Sequence, residues 1–249
     1  TEQNVDAVIN ACAYTAVDLA EKEPEQAYKI NTLAVKNLAE VCKELSLHFV
    51  HISTDFVFNG LKSSPYLPND DINPLSVYGK TKAEAEQLLT EIIPNSSCII
   101  RTSWVYSTYG NNFVKSMIRL MAEKPELGII CDQIGTPTYV KGLAQVSLTA
   151  AVEKVSGIHH WTDAGVASWY DFSVAIQELA IEKGLLEVAI PIKPINTESY
   201  PTPATRPSYS VLDKSSSMLA FPNHPIIHWR KQLSSMLDEL QNEKEETQS

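Results

Sequence analysis

The chain has 249 residues, of which 44% are hydrophobic and 20% are charged, a balance typical of globular proteins with a sizeable core. Its net charge of −10 argues against nucleic acid or an anionic membrane as the main partner, because both bind basic surfaces. Four cysteines without metal-site spacing, and no apolar run of about 20 residues, predict a cytoplasmic protein without a membrane span.

The first half of the chain alternates short apolar runs with longer amphipathic segments. Residues 5–12, 48–54 and 97–106 are rich in valine and isoleucine and predict buried strands. Apolar residues recur every three or four positions from Glu23 to Leu45 and predict a helix whose apolar face is formed by Ala27, Ile30, Leu33, Ala34, Leu38, Val41, Cys42 and Leu45. A second helix is predicted over 73–89, "NPLSVYGKTKAEAEQLL", which opens on a proline. This order predicts an α/β fold with a doubly wound parallel sheet.

The second half continues with shorter elements. Its patterns predict three helices, over 110–124, 138–154 and 168–184, and two strands, over 127–133 and 157–162. Gly184 is a stop signal for the third of these helices. Five prolines within 191–210 predict a loop that lies over a site, and an amphipathic helix is predicted from Trp229 onward.

Tyr78 and Lys82 lie four positions apart in a predicted helix, and therefore on one face of it. An ammonium beside a phenol favours the phenolate, which lets a tyrosine act as a general acid or base near neutral pH. The same spacing also occurs on ordinary wet helix faces. Ser53 and Thr54 end the preceding strand, where ligands of open α/β sheets bind, although these hydroxyls are also typical of a simple turn.

Seven segments occur in an order and spacing that together resemble a known family. They are "NACAYTAVDLAEKEPEQAYKIN", "STDFVFNG", "NPLSVYGKTKAEAE", "RTSWVYSTYGNNFVKSM", "DQIGTPTY", "SWYDF" and "YPTPATRPSYSVLD". They resemble the dTDP-4-dehydrorhamnose reductases, a family of extended short-chain dehydrogenases/reductases. The resemblance implies a Rossmann-like dinucleotide-binding core over 1–106 and 137–164, and a smaller α/β substrate-binding subdomain over 107–136 and 165–249.

The family resemblance implies NADPH-dependent reduction of the 4-keto group of dTDP-4-dehydro-L-rhamnose, with NADH as an alternative cofactor. Tyr78 would donate the proton to the ketone, and Lys82 would lower the pKa of Tyr78 and hold the nicotinamide ribose. Thr54 would bond the ketone oxygen, with Ser53 as its rival, because the sequence does not show which hydroxyl points inward. A Mg²⁺ ion is compatible with the family, but no residue pattern here identifies its ligands.

Further residues are assigned to the cofactor by the same resemblance and by their place in the predicted sheet. They are Asn10, Ala11, Cys12, Thr15 and Asn31, of which the first three end the first predicted strand. Small residues at that point allow a flat ring to approach the backbone. For Asn31 a role in helix packing is an equal alternative.

The predicted substrate-binding residues lie mostly after residue 100. They are Ser53, Trp104, Asn111, Asn112, Lys115, Gln133 and Arg206. A place in the core is the alternative for Trp104, and helix capping is the alternative for Asn111. Arg206 is predicted to grip the nucleotide pyrophosphate with its guanidinium, and a salt bridge that fastens the proline-rich loop is the alternative.

The chain contains no G-x-x-G-x-x-G motif, the turn that holds a dinucleotide pyrophosphate in this fold. We therefore expect the first β-α-β unit, on the order of 50 residues, to lie upstream, and weak or no cofactor binding by this chain. The preference for NAD or NADP is set in that segment and is not readable. Leu19 stands where many relatives carry lysine.

Two other functions are compatible with these motifs. One is that of another nucleotide-sugar epimerase or dehydratase, for which Asp55 offers an acidic group beside the hydroxyls. The other is that of a non-catalytic regulatory relative, against which intact Thr54, Tyr78 and Lys82 argue. The predicted partner is a dTDP-sugar, although UDP is not excluded. The sequence is compatible with a monomer or a homodimer.

Overall fold

The computed structural model of the protein describes residues 5–248, apart from the side chains of residues 244 and 246–248. The strands, in chain order, are β1 (Ala7–Asn10), β2 (His48–Thr54), β3 (Ser97–Thr102), β4 (Val105–Tyr106), β5 (Leu127–Ile130), β6 (Ile134–Gly135), β7 (Thr138–Tyr139), β8 (Gly157–His160), β9 (Ala167–Ser168) and β10 (Ile192–Ile195). The helices are α1 (Val17–Ala20), α2 (Pro24–Tyr28), α3 (Ala34–Glu44), α4 (Val77–Ile92), α5 (Phe113–Glu123), α6 (Val140–Val152), α7 (Trp169–Glu182), α8 (Ser215–Ala220) and α9 (Trp229–Gln248).

The chain divides into two compact units. The first contains the chain up to Thr102, Leu143–Trp161 and Thr202–Pro225, and the second contains Ser103–Gly142, Thr162–Pro201 and the chain from Ile226 onward. The sequence places residues 202–225 in the substrate-binding subdomain, whereas in the structure they join the first unit. The reason is local, because Leu212 forms a β-bridge with Tyr66 and Arg206 forms an ion pair with Asp18. Which unit binds cofactor and which binds sugar stays a prediction.

A four-stranded parallel sheet forms the centre of the first unit. Its order is β1-β2-β3-β8, and the register places Ile9 beside Val50 and Val50 beside Cys98. Side chains of β2 and β3 pack with those of α3 and α4 in one apolar cluster that includes Phe49 and Leu89. The predicted α/β fold class with its parallel sheet is confirmed, and β2 has the predicted bounds.

The helix predicted from Glu23 to Leu45 is interrupted by a π turn. Residues Lys29–Leu33 form this turn between α2 and α3, which run on without a break in the chain. The predicted apolar face of α3 is partly wrong, because Val35 and Ala39 are buried whereas Leu38 and Val41 are exposed. The helix carries apolar residues on two faces, and periodicity alone does not show which face the sheet covers.

Helix α4 begins at Val77, after Ser76, rather than at the proline of "NPLSV". The Ser76 hydroxyl accepts a hydrogen bond from the backbone N–H of Gly79 at 3.2 Å, which satisfies one of the free donors of the first turn. Pro74 therefore precedes the helix without belonging to it. The cap fixes the phase of the helix from which Tyr78 and Lys82 project.

The second unit combines three two-stranded sheets with helices α5, α7 and α9. The sheets pair β4 with β7, β5 with β10 and β6 with β9. Strand β10 lies inside the segment 191–210, so the prediction of a plain loop there is wrong for Ile192–Ile195. The strand predicted over 97–106 is also divided, because Trp104 has a left-handed backbone with φ of 48° between β3 and β4.

The ends of α7 follow the sequence signals closely. Ser168 and Asp171 form a reciprocal capping box at its start, and Gly184 adopts φ of 71° just beyond its end, as the predicted stop signal requires. Within the residues that the structure describes, no helix is long and apolar enough to cross a membrane.

A buried ion pair joins α4 to β3 in the first unit. The Arg101 guanidinium donates to both carboxylate oxygens of Glu86, at 2.7 to 3.1 Å, and both side chains are only 3% exposed. Burying two charges costs several kcal/mol of desolvation each, which only close contact and further hydrogen bonds offset. Glu86 has a further donor in Ser53, and Arg101 also donates to the Pro68 carbonyl at 3.0 Å.

We expect Glu86→Gln to lower the free energy of unfolding by about 3 kcal/mol or more, because it leaves a buried guanidinium without its counter-charge. Urea denaturation measures this loss. The matched control is Glu123→Gln in the exposed pair with Arg119 at 3.2 Å, where a loss below about 1 kcal/mol is expected. Equal losses in the two variants would contradict a structural role for the buried pair.

Candidate active site

The carboxyl ends of β1 and β2 bring the predicted catalytic and cofactor residues to one edge of the sheet. Asn10 ends β1 and lies beside His51 of β2, and Thr54 is the last residue of β2. Ala11 and Cys12, which follow β1, are exposed, as is Thr15. Ligands bind at this edge in open α/β sheets, so the structure gathers these residues where the fold expects a site.

Tyr78 lies on the first turn of α4, beside Thr54. Its half-buried ring packs edge-on against Phe56, with 5.6 Å between the ring centroids. Gly79 approaches the Phe56 carbonyl so closely that a Cβ would collide with it, which holds this turn against the end of β2. Burial raises the pKa of Tyr78 to about 12, the Thr54 hydrogen bond lowers it and the Asp55 charge raises it.

The prediction that Lys82 lowers the pKa of Tyr78 is therefore wrong for this structure. Lys82 is turned away into the sheet, where its Nζ lies 2.9 Å from His51 Nε2 and 2.6 Å from the Ile52 carbonyl oxygen. Burial lowers the pKa of Lys82 to about 8, and the Glu86 charge partly offsets this effect. A phenol with a raised pKa keeps its proton at neutral pH, which suits a proton donor better than a base.

The two rival hydroxyls have different partners. Ser53 donates to the Glu86 carboxylate and is buried beneath α4. The Thr54 hydroxyl accepts from the Phe56 N–H at 3.2 Å, donates to Asp55 at 3.1 Å and lies close enough to the Tyr78 phenol to lower its pKa. This geometry favours Thr54 as the hydroxyl beside the proton donor.

Asn31 projects from the π turn onto neighbouring chain segments. Its side-chain oxygen accepts from the Tyr14 N–H at 2.8 Å, and its amide donates to the Tyr14 carbonyl at 3.2 Å and to the Thr81 hydroxyl at 3.1 Å. These bonds fasten the loop after β1 to α4 and correspond to the packing alternative. A contact between Asn31 and the cofactor stays a prediction.

Arg206 forms the salt bridge that the sequence offers as its alternative role. Its guanidinium makes two bonds to the Asp18 carboxylate, at 2.7 and 3.1 Å, and also donates to Thr202 and to the Ala204 carbonyl. Hydrogen bonding to Arg206 holds the pKa of the Asp18 carboxyl below its ordinary value. Pyrophosphate binding by Arg206 stays a prediction, and it requires at least part of this contact to be exchanged.

The remaining predicted substrate residues lie in the second unit. Trp104 is half-buried, stacks on Trp169 at 3.6 Å and lies so close to Gly135 that a Cβ there would collide with it. Gln133 is buried and donates to Thr197 at 3.1 Å. A rigid, partly exposed indole is compatible with stacking on a sugar, and this role stays a prediction.

The start of α5 contains the other three predicted substrate residues. Asn112, not Asn111, caps this helix, because its side chain accepts from the Lys115 N–H at 3.2 Å and donates to the Ser107 carbonyl at 2.6 Å. The capping alternative therefore falls one residue later than predicted. Asn111 is exposed, and the Lys115 ammonium donates to the Thr108 carbonyl at 2.9 Å.

Three buried residues near the site are absent from the predicted set: His51, Glu86 and Arg101. A signal for them exists in the sequence. His51 and Arg101 are ionisable residues inside the predicted buried strands "HFVHIST" and "SCIIRT", and Glu86 follows Lys82 by one helical turn. Buried polar groups of this kind require partners, which only the structure identifies. No group of three or more metal-ligating side chains occurs within the described part of the chain.

Residues 1–242 match the family model described as the RmlD substrate binding domain. The chain belongs to this family. It is 44% identical over 236 residues to the dTDP-4-dehydrorhamnose reductase of Aggregatibacter actinomycetemcomitans, a match that covers 92% of this chain and 79% of that protein. The predicted resemblance to dTDP-4-dehydrorhamnose reductases is thereby confirmed.

Two solved structures are similar to this RmlD family chain. The dTDP-4-dehydrorhamnose reductase of Clostridium acetobutylicum ATCC 824 is 41% identical, with a TM-score of 0.88 over 95% of this chain and 81% of that one. The dTDP-4-dehydrorhamnose reductase of Bacillus anthracis str. Ames, in complex with NADP, is 35% identical, with a TM-score of 0.86 over 94% of this chain and 80% of that one.

We expect Asp55→Asn to flatten part of the pH dependence of stability. Burial raises the pKa of Asp55 to about 6, so between pH 3.8 and about 6 the folded chain holds a proton that the unfolded chain releases. Stability therefore falls as the pH rises through this window, by about 2–3 kcal/mol in all. Between pH 4 and pH 7 the wild type should lose this amount of unfolding free energy relative to the variant. Denaturation at the two pH values measures the difference.

The control for this comparison is Asp71→Asn, at an exposed carboxylate of the same unit. This variant should track the wild type at both pH values. A constant difference between Asp55→Asn and the wild type from pH 4 to pH 7 would contradict the assignment to Asp55.

Proposed function

We propose that this chain carries the catalytic groups of an NADPH-dependent reductase that converts dTDP-4-dehydro-L-rhamnose to dTDP-L-rhamnose. One observation carries the proposal. The Thr54 hydroxyl, the Tyr78 phenol and the Lys82 amine gather at the carboxyl edge of a parallel sheet, in a chain whose residues 1–242 match the RmlD family. Its relatives are dTDP-4-dehydrorhamnose reductases, which supports this substrate. The NADP bound to the Bacillus anthracis protein favours NADPH over NADH.

The residues at this edge fit the nicotinamide–ribose end of such a cofactor. Ala11 and Cys12 are small and exposed where a flat ring would approach the backbone. Lys82 Nζ faces His51 and the Ile52 carbonyl, and in either charge state it has one further N–H for a ribose hydroxyl. NADPH, when bound, supplies the hydride that the substrate's carbonyl carbon accepts.

The chain's own part in the reaction is to hold the ketone and to provide one proton. As the ketone oxygen gains negative charge, the Thr54 hydroxyl donates a hydrogen bond to it and the Tyr78 phenol transfers its proton to it. The high pKa of Tyr78 ensures that this proton is present at neutral pH. The phenolate that results regains its proton from water.

The direct assay is oxidation of NADPH, followed by absorbance, on addition of dTDP-4-dehydrorhamnose to the natural protein at full length. Turnover supports the reductase, whereas no oxidation of NADPH contradicts it and favours an epimerase, a dehydratase or a regulatory relative. The UDP-sugar, tested in parallel, decides the nucleotide. Cytoplasmic location remains a prediction. A homodimer is also a prediction, and gel filtration tests it.

We expect Tyr78→Phe to lower kcat by about 10²- to 10⁴-fold, since it removes the general acid. Cofactor affinity, measured by nicotinamide fluorescence, should change little because the ring remains. The matched control is Tyr66→Phe, which deletes a buried hydroxyl bonded to Asn59 at 3.0 Å elsewhere in the same unit. A Tyr78→Phe enzyme that turns over like this control would refute the assignment of the acid.

A pair of substitutions separates the two hydroxyls. Thr54→Val keeps the side-chain volume and removes the donor to the ketone oxygen, for which we expect a fall in kcat of about 10²-fold. Ser53→Ala removes the donor to buried Glu86, for which we expect a loss of about 1–3 kcal/mol in unfolding free energy and a much smaller fall in kcat. The opposite ranking of the two kcat values would assign the catalytic hydroxyl to Ser53.

A further inference from the structure

Three buried polar side chains form a row beneath the proposed site in the first unit. Asn10, His51 and Lys82 are 7%, 0% and 1% exposed. Asn10 Nδ2 lies 3.2 Å from His51 Nδ1, and His51 Nε2 lies 2.9 Å from Lys82 Nζ. The proposed reaction assigns a role to Lys82 and none to His51, so the purpose of this histidine is open.

The orientation of the Asn10 amide decides what the first ring nitrogen of His51 must be. The Cys12 N–H donates to Asn10 Oδ1 at 3.1 Å, so the amide oxygen faces Cys12 and the amide nitrogen faces His51. An amide NH₂ group only donates hydrogen bonds. His51 Nδ1 must therefore carry no hydrogen and accept this bond.

The second ring nitrogen then has its hydrogen defined. Burial, with the nearby Lys82 charge as a smaller cause, holds the pKa of His51 well below its ordinary value, so the ring is neutral and has one N–H. With Nδ1 bare, this hydrogen is on Nε2 and points at Lys82 Nζ. A hydrogen on Nε2 needs an acceptor, and only an uncharged amine has the lone pair to accept it.

We propose that His51 is a positioning residue for Lys82 whose ring tautomer follows the charge on that lysine: Asn10 and the Nε2–H tautomer hold uncharged Lys82, which accepts from His51 and donates to the Ile52 carbonyl, and charged Lys82 requires the Nδ1–H tautomer. The inference deepens the proposed function and rests on it for the role of Lys82 in the reaction. The arrangement of the three side chains stands on the geometry alone.

Protonation of Lys82 requires the whole row to rearrange. An ammonium must find an acceptor at His51 Nε2, which moves the ring hydrogen to Nδ1. Asn10 must then turn its oxygen toward Nδ1, and the bond from the Cys12 N–H to that oxygen is lost. Charge on Lys82 is thus coupled to a ring tautomer and to an amide orientation, at the strand end next to the exposed residues Ala11 and Cys12.

Other charged groups lie around this row. Glu86 faces Lys82 from α4 and favours the ammonium, and Arg101 of β3 neutralises most of the Glu86 charge. Asp55 faces Tyr78. Because burial lowers the pKa of Lys82 to about 8, both states of the row fall within an accessible pH range.

Nuclear magnetic resonance of protein labelled at histidine and lysine tests the proposal directly. Two-bond ¹H–¹⁵N spectra show which ring nitrogen of His51 has the hydrogen, and the lysine side-chain shifts give the pKa of Lys82. We expect hydrogen on Nε2 above about pH 8 and a change to Nδ1 below it, in step with the titration of Lys82. Hydrogen on Nδ1 throughout pH 6 to 9 would overturn the proposal.

Two substitutions change the row in a defined way. Asn10→Asp offers an acceptor to His51 Nδ1 without losing the Cys12 bond, and His51→Gln offers an amide oxygen to the ammonium. Each should raise the pKa of Lys82 by about one pH unit or more. The control is His48→Gln, on the same strand, whose buried ring bonds the Val155 carbonyl at 3.0 Å and does not face Lys82.

An unchanged Lys82 pKa in both variants would overturn the proposal, and either variant suffices if the other fails to fold. In the active full-length protein, the pH profile of kcat should shift upward in His51→Gln and not in His48→Gln, a result that a merely structural histidine would not produce. The spectra need no turnover. A protein that is inactive but shows the expected tautomer change contradicts the proposed function alone. A protein that is active but lacks the tautomer change contradicts the role of His51 alone.

Discussion

The ion pair between Glu86 and Arg101 fixes the helix that carries the candidate catalytic residues against the sheet. Arg101 belongs to the third strand of the sheet and Glu86 to helix α4, two turns after Tyr78. With Ser53 also donating to Glu86, a single carboxylate is bound to two neighbouring strands. Because desolvated charges are costly to separate, helix α4 has one favourable position on the sheet, and the direction of Tyr78 and Lys82 follows from it.

Burial has a larger effect than nearby charge on the titration of this site. It raises the pKa values of Tyr78 and Asp55 and lowers that of Lys82, so burial shifts each group toward its uncharged form. At pH 7 only Tyr78 is fully uncharged, because the pKa values of Asp55 and Lys82, about 6 and about 8, lie on either side of neutrality. The charges of the Glu86–Arg101 pair neutralise each other. A buried site of this kind responds strongly to charge that develops during a reaction.

The sequence predicts the sheet and the spacing of Tyr78 and Lys82 on one helix well, because both depend on local patterns. Strand β2 is a mostly buried run with the predicted bounds, and the spacing of Tyr78 and Lys82 survives any error in where the helix starts. The start itself is mispredicted because Ser76 offers an oxygen to the first turn, whereas Pro74 has only a favourable backbone angle. The choice between Asn111 and Asn112 as a cap depends likewise on one hydrogen bond.

What the sequence does not predict depends on tertiary burial. Spacing places a lysine near a tyrosine, but it does not reveal that His51 and the Ile52 carbonyl take up the lysine, nor that the phenol's pKa rises. The same holds for Leu38 and Val41, which look like core residues in a periodic pattern and are exposed in the structure. Partners that are distant along the chain decide each of these cases.

The π turn at Lys29–Leu33 makes this region sensitive to length rather than to composition. A π turn contains one residue more than an α turn, so deleting one residue of Lys29–Leu33 would replace it with a regular α turn and change the directions of the side chains that project from it. Asn31 would then leave Tyr14 and Thr81, and the loop after β1 would lose its attachment to α4. Substitutions in this helix are far milder changes than a one-residue deletion, so variation among functional copies of the chain should spare its residue count.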